Sequence, residues 1–368
     1  MVEDFWSLEL EGMPHFDRAM ERVYAWYENE IIDRPPVRFQ AHNAMLTAAT
    51  EDISSLSSEE KKAWWFNVEL QVDLFLKSVE GRTFHGETFP VYSPNLGPDV
   101  YAAFYGAELE YGEITSWSKP LIKTWDDVEK IQFDPQNEYF RTLEKLTEHA
   151  LERCPGKFMV GYTDLHPGLD CVAAWRKPEQ LCIDMIEHPD KVKQLAELAV
   201  KDFQWIFDHF DGMLKAENQL SVSWLGVPSF GKMHIPSEDF ITLISPDFYA
   251  EFGLPILKRE VKDMTHNVYH VDGKGVARHM DAILSVPEVH AIQWVQGVGE
   301  DYPIMQWVPF LKDLQAREVP VIVDLDKEDL ESFMAEMDPE GLFLWIASEE
   351  EEEQLDILNM VSRWSPSS

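Results

Sequence analysis

The sequence predicts an α/β protein of the (β/α)8 TIM barrel class, on three observations. Short apolar runs at 267–271, 290–295, 319–324 and 342–346 begin 23, 29 and 23 residues apart, the length of one strand, loop and helix. These runs are continuously apolar rather than alternating, as strands of a parallel sheet covered on both faces must be. Segments with helical apolar spacing lie between strand runs, and repeated βα units close naturally into a barrel. The chain has 368 residues and no Gly/Ser linker. We therefore expect one domain over 1–368, with residues 1–80 a mostly helical N-terminal elaboration.

The elements follow in order. Pro36-Val37-Arg38-Phe39 reads as a strand, and 57–80 as a helix capped by Ser57 or Ser58. Strands are expected near 91, at 157–163 and within 212–225. Leu195, Ala199, Phe203, Ile206 and Phe210 recur at helical spacing. Ser245-Pro246-Asp247 is an N-cap with Pro at the first helical position, opening a helix through Phe252 and Leu257. Glu349 to Glu353 precede an apolar-periodic end, so they read as a helix start whose charge suits the macrodipole.

Charge excludes some functions. With 31 Lys and Arg against 67 Asp and Glu, the net charge is −36. Such a chain gains nothing from displacing counterions on nucleic acid and is repelled by an anionic membrane. No run of eighteen apolar residues exists, and the acidic start lacks the features of a signal peptide. Cys154, Cys171 and Cys182 form no CxxC and no paired framework, which suits a reduced, cytoplasmic setting. There is no GxSxG, HExxH or Walker loop. Gln296-Gly297-Val298-Gly299-Glu300 is too short for a phosphate loop, so no nucleotide cofactor is expected.

A barrel carries its chemistry where strands end, at the C-terminal face. Tyr269-His270-Val271-Asp272 ends a strand before Gly273, and His270 and Asp272, two apart, point to one side. A His and a carboxylate on one face can bind a divalent metal or serve acid–base chemistry; equally, the pair can simply close a loop. Asp164 and His166 follow another strand with the same alternation, and either could reach a substrate; Asp170 beyond them is a helix cap or a further carboxylate. Gln293 and Trp294 suit a planar ligand. Trp224 opens a long Gly/Pro-rich loop that also holds His234 and Asp239, and Glu217 lies upstream. Each of these could serve packing alone.

Several segments together resemble the uroporphyrinogen decarboxylase-like superfamily over most of the chain. They are Asp33-Arg34-Pro35-Pro36-Val37, Asn95-Leu96-Gly97-Pro98, Trp125-Asp126-Asp127-Val128 with Phe133-Asp134-Pro135, Ile244 to Tyr249 with Pro255, and above all 269–300. The last looks like a branch with an H-x-D-G strand end. The resemblance implies a (β/α)8 barrel and one of two chemistries: cofactor-free porphyrinogen decarboxylation, or methyl transfer with a corrinoid protein, commonly on zinc held by His and two Cys.

The chain departs from both patterns. Where decarboxylases place an Arg-Gln-Ala-Gly-Arg clamp, it has Phe39-Gln40-Ala41-His42-Asn43, and alternation is expected to turn Arg38 away from the pocket. Where zinc methyltransferases have H-x-C it has His270-Val271-Asp272, and the final Cys is missing near Ile346-Ala347-Ser348. The expectation is a methyltransferase acting on a small methoxy or methylamine compound with a corrinoid partner protein. His270 and Asp272 would bind Zn2+ or another divalent metal, helped by Glu217, His234 or Asp239. Asp164 and His166 would act in catalysis, and Trp224, Gln293, Trp294, Tyr269, His42 and Asn95 would shape the pocket. A carboxy-lyase and a non-enzymatic tetrapyrrole binder are the alternatives.

Overall fold

The computed structural model describes residues 5–40 and 53–364. Ten strands are present among them: β1 (Val37–Gln40), β2 (Val91–Tyr92), β3 (Glu108–Tyr111), β4 (Ser116–Lys119), β5 (Met159–Val160), β6 (Met233–His234), β7 (His266–Asp272), β8 (Ala291–Val295), β9 (Val321–Leu325) and β10 (Leu342–Ala347). Six form one curled parallel sheet in the order β1-β10-β9-β8-β7-β6, so the first strand lies beside the last. Val37 pairs with Leu344 and Gln40 with Ala347.

The expected barrel is thus seen as a six-stranded sheet, not as a continuous eight-stranded ladder. β2 and β5 pair only with each other. Single bonds carry the wall onward: Phe39 N donates to Thr88 Oγ1 (2.9 Å), Gly161 N to Tyr92 O (2.8 Å), Tyr162 N to Val222 O (2.9 Å) and Met233 N to Ser221 Oγ (3.0 Å). Two other expectations change. The segment 212–225 is mostly not strand, because the helix Phe203–Ala216 runs into it and only Ser221 bridges to Ser229. Residues 57–80 form two helices, Ser58–Trp65 and Val68–Val79, because Asn67 starts a second cap by accepting from Leu70 N. Ser57 caps the first, with Glu60 completing a capping box.

Alternation along the parallel strands separates two cores. Tyr269, Val271, Ile292, Trp294, Val321, Val323, Leu344 and Ile346 pack outward among helices. Val268, Ala291, Ile322, Phe343 and Trp345 pack on the concave side with Met159, Leu220, Val222 and Met233. The helix Phe16–Tyr27 closes the N-terminal end of the strands. Its Trp26 Nε1 donates to Gly341 O (3.0 Å) just before β10, and Tyr27 stacks on His266 at the start of β7 with ring centroids 3.9 Å apart. Among the described residues no such helix covers the opposite, C-terminal end.

Glu87 ties this plug to the sheet. It has no solvent exposure, accepts from Arg34 (2.9 Å) and Arg22 (3.0 Å), and receives Val37 N (2.6 Å). A buried ion pair is weak evidence of net stability, but removing one partner strands the others. Glu87→Ala should destabilise the protein by about 3–5 kcal/mol in urea unfolding. A loss below about 1 kcal/mol would show the guanidinium groups finding water instead.

Candidate functional site

The concave alternation that puts Val268, Ala291 and Ile322 in the core puts polar residues of the same parity at the strand ends. On β7 these are His270 and Asp272, on β8 Gln293, on β9 Asp324, and on β1 Arg38 and Gln40. All sit at the C-terminal end, opposite the helical plug. Asp239, just after β6, joins them. One ligand atom each from Asp239, His270 and Asp272 lies within 4.8 Å of the others.

His270 is oriented from behind. Its Nδ1 is hydrogen-bonded to Gln293 Oε1, which leaves Nε2 as the ring nitrogen with a lone pair for a ligand. The Trp224 ring stands edge-on against it, centroids 5.5 Å apart. Trp224 Nε1 in turn donates to Asp164 Oδ1 (2.9 Å), and Asp164 Oδ2 pairs with His166 Nε2 (2.7 Å). Gln293, His270, Trp224, Asp164 and His166 therefore form one connected chain of contacts across the mouth.

Electrostatics divide the cluster. Burial alone would lower the His166 pKa, but the adjacent Asp164 charge reverses this and raises it to about 10. Burial likewise works against ionised Asp164, and the His166 imidazolium outweighs it, so Asp164 stays below its ordinary value. Burial raises Asp272, helped by Asp239. Burial and the Asp239 charge push Asp170 up to about 7, although it accepts the backbone N–H groups of Asp239 (2.9 Å) and Phe240 (2.8 Å). Burial raises Asp324 to about 6, against a bond from Gln40 Nε2 (3.3 Å) and the nearby Arg38.

Arg38 is a correction: it faces the concave side, not away from it. Val37 and Phe39 take the helix-side core, so Arg38 must alternate inward. Its guanidinium lies over the Trp345 ring (4.4 Å to the centroid) and donates to Leu225 O. The turn at Gly226, φ +66°, makes this possible, since a Cβ there would meet the guanidinium at 3.0 Å.

Other expected site residues are placed elsewhere. Trp294 and Tyr269 have no exposure and point to the helix side, Trp294 against Trp307 and Phe310, because they alternate with Gln293 and His270. His234 is turned the same way, packed on Phe203, with its Nε2 2.7 Å from Glu260 Oε1. Burial drives the His234 pKa down and the Glu260 pKa up, which favours the uncharged form of each, and with its Nε2 taken by Glu260 on the helix side His234 is not placed to join the cluster. Glu217 ends the helix Phe203–Ala216, at the entry to the 219–222 segment and so at the plugged end. Asn95 Oδ1 accepts Gly97 N (2.7 Å) within its own turn. His42 lies outside the described residues. Sequence reasoning missed Gln40 and Asp324; both end strands, so the rule that found His270 would have found them.

Beside the cluster is a cavity of about 460 Å3, whose lining includes His166, Asp170, Ser237 and Asp239. Asp239 thus belongs to both.

By sequence, no family model and no curated relative matches the chain. Among solved structures, the chain is similar to a methyltransferase from Methanosarcina mazei. The TM-score is 0.59 at 12% identity, over 94% of this chain and 98% of that one. It is also similar to the metallated homocysteine methyltransferase MmuM from Escherichia coli, with a TM-score of 0.36 at 11% identity, over 90% and 96%. The first similarity runs almost end to end and shows a shared fold. No described helix is long and apolar enough to cross a membrane.

The His166–Asp164 pair generates a test. A raised imidazole pKa contributes stability that is fully present below its unfolded value and lost as pH rises through the folded one. His166 should therefore remain protonated through pH 8 in NMR titration, with its contribution fading toward about 10. Asp164→Asn should lower its titration markedly, since only the weaker charges of Asp170 and Asp239 then oppose burial.

Proposed function

We propose that this chain is a metal-assisted methyltransferase. It would work as one domain whose curled sheet and bridging segments make a (β/α)8 barrel. The single observation that carries the reading is the Asp239–His270–Asp272 cluster at the open end, with His270 oriented by Gln293. One imidazole and two carboxylates suit a divalent cation with harder preferences than a thiolate-rich site, so the absence of the cysteines found in related zinc sites is no obstacle. A bound cation would act as a Lewis acid on the heteroatom that bears, or receives, the methyl group.

The chain's own residues do the rest. Gln293 fixes the His270 tautomer, and Trp224 limits its rotation. Demethylation of an ether or amine leaves a basic heteroatom, and His166 is the proton donor: it is held as imidazolium by Asp164, and its buried Nδ1 has no hydrogen-bond partner among the described residues. The acidic walls tolerate a cation or a neutral compound and disfavour a polycarboxylate. Arg38, the one arginine of the inner layer among the described residues, is already bonded to Leu225 O, which argues against the carboxy-lyase alternative. The methyl donor or acceptor on the other side is a corrinoid carried by a partner protein.

Calorimetric titration of Zn2+, Mn2+ and Co2+ tests the cluster. At least one should bind at one site per chain, and His270→Ala or Asp272→Ala should abolish that site. Gln293→Leu should weaken it about 10–100-fold, the usual effect of losing a partner behind a metal-bound histidine. In the reaction, a methylated corrinoid or a methoxy compound with reduced corrinoid should change its visible spectrum with the native protein only. Metal binding unchanged in both alanine variants would overturn the site.

A further inference from the structure

Arg38 is a cation held inside the hollow of the sheet. It stands on β1 in one layer with its register partner Trp345 on β10, which pairs in turn with Asp324 on β9. The guanidinium is packed over the Trp345 ring, 4.4 Å from its centroid. Its carbon and both Nη atoms lie almost equally close, at 3.0 to 3.1 Å, to the point a Cβ on Gly226 would occupy, so the backbone turn covers a face of the plane. What stays free is the edge, where the fork of N–H donors lies. Among the described residues one acceptor meets that fork, Leu225 O, and no carboxylate forms an ion pair with it. Asp324 acts on Arg38 from farther off, and its Oδ1 already accepts from Gln40 Nε2 (3.3 Å). Burial pulls the Arg38 pKa down to about 10 against the Asp324 charge. A second donor of the layer is also unanswered: Trp345 is 5% exposed, and its buried Nε1 has no hydrogen-bond partner. Burying such a fork against one neutral acceptor is costly, and an arriving anion offsets that cost.

We propose that Arg38 anchors a single carboxylate on the substrate, and that this carboxylate is a handle and not the reacting centre. The inference rests on the methyl-transfer reading for the word substrate, while the anion site itself stands without it. The fork of a guanidinium matches a planar carboxylate with two parallel hydrogen bonds, and a plate fixed by Trp345 and Gly226 gives up little freedom in making them. One arginine serves one carboxylate and cannot serve the several of a porphyrinogen. The order of strands sets where the rest of the molecule lies. β1 and β7 are separated by β10, β9 and β8, so Arg38 and the pair His270 and Asp272 stand well apart around the curl. A molecule held by its carboxylate at Arg38 extends across the hollow toward them.

The charge of the chain makes the test stringent. At −36 it repels anions in general, so a preference for an anion has to be local. Benzoate and benzamide share one shape and differ in charge. Ligand-observed NMR on the full-length protein, with EDTA keeping metal out of the cluster, should show benzoate binding at least about fivefold tighter than benzamide. Arg38→Lys keeps a charge but loses the fork, and should weaken benzoate about fivefold or more with benzamide unchanged. Asp324→Asn leaves Arg38 in place and removes a repelling charge, so it should tighten benzoate about threefold or more, and it decides the matter alone if Arg38→Lys fails to fold. An arginine with a purely structural role predicts neither change. Equal affinity for the two probes would overturn the proposal, as would benzoate binding that ignores Arg38→Lys or fails to tighten in Asp324→Asn. His270→Ala separates this site from the metal cluster. Benzoate binding retained there, with Zn2+ binding lost, supports Arg38 by itself, whereas benzoate binding lost with His270 places the anion at the cluster and overturns the proposal. A native protein that prefers benzoate yet binds no metal refutes the methyl-transfer reading alone.

Discussion

The fold depends on burying both faces of its parallel strands. A strand in this sheet can put a polar residue on the helix side only with a partner there, as His234 has in Glu260, so that face is filled mainly with Tyr269, Val271, Ile292, Trp294, Val323 and Ile346. The polar groups at the ends of β1, β7, β8 and β9 lie instead on the concave face. The helix Phe16–Tyr27 fills the opposite end, so among the described residues these groups face away from that plug. Gln40, His270, Asp272, Gln293 and Asp324 are neighbours because the alternation leaves them no other place.

That convergence gathers like charges, and the structure manages them by pairing, bonding or protonation. Asp164 is matched by His166, Asp324 by Gln40 and the nearby Arg38, and Asp170 by two backbone amides. On the far side of the sheet, burial raises the pKa values of Glu238 and Glu260, which favours their uncharged forms. The acidity of the whole chain is thus most consequential in the few residues at the mouth, where desolvation magnifies it.

Much of this was legible in residue order. The four apolar runs of the C-terminal half became β7 to β10 with shifts of one or two residues, and His270 and Asp272 fell on one side as period-two geometry requires. Two kinds of information were not local. The same alternation argument was applied to Arg38 with the wrong face assumed, because only tertiary packing decides whether Val37 and Phe39 look at helices or at the sheet's hollow. His234 reads like a ligand in a Gly/Pro-rich loop, yet two residues of that loop form a real strand, β6, whose outward member it is. Asp239 joined the cluster through the path of the chain after β6, which no spacing announces. The cavity wall from 98 to 120, with the hairpin β3–β4, left no clear sequence trace, since its strands are short and half exposed.

Asp239 stands at the meeting point of the candidate metal-ligand cluster and the neighbouring cavity, and thermodynamics attaches a condition to that position. Two occupants that draw on one carboxylate cannot be independent: if the presence of the first changes the affinity of the second by some factor, the second must change the first by the same factor. An ion held at the cluster would draw on the Asp239 carboxylate, and any molecule in the cavity that used the same carboxylate would feel that change in equal measure. One exposed side chain, Asp239, would then set the balance between holding a reactant and letting it go.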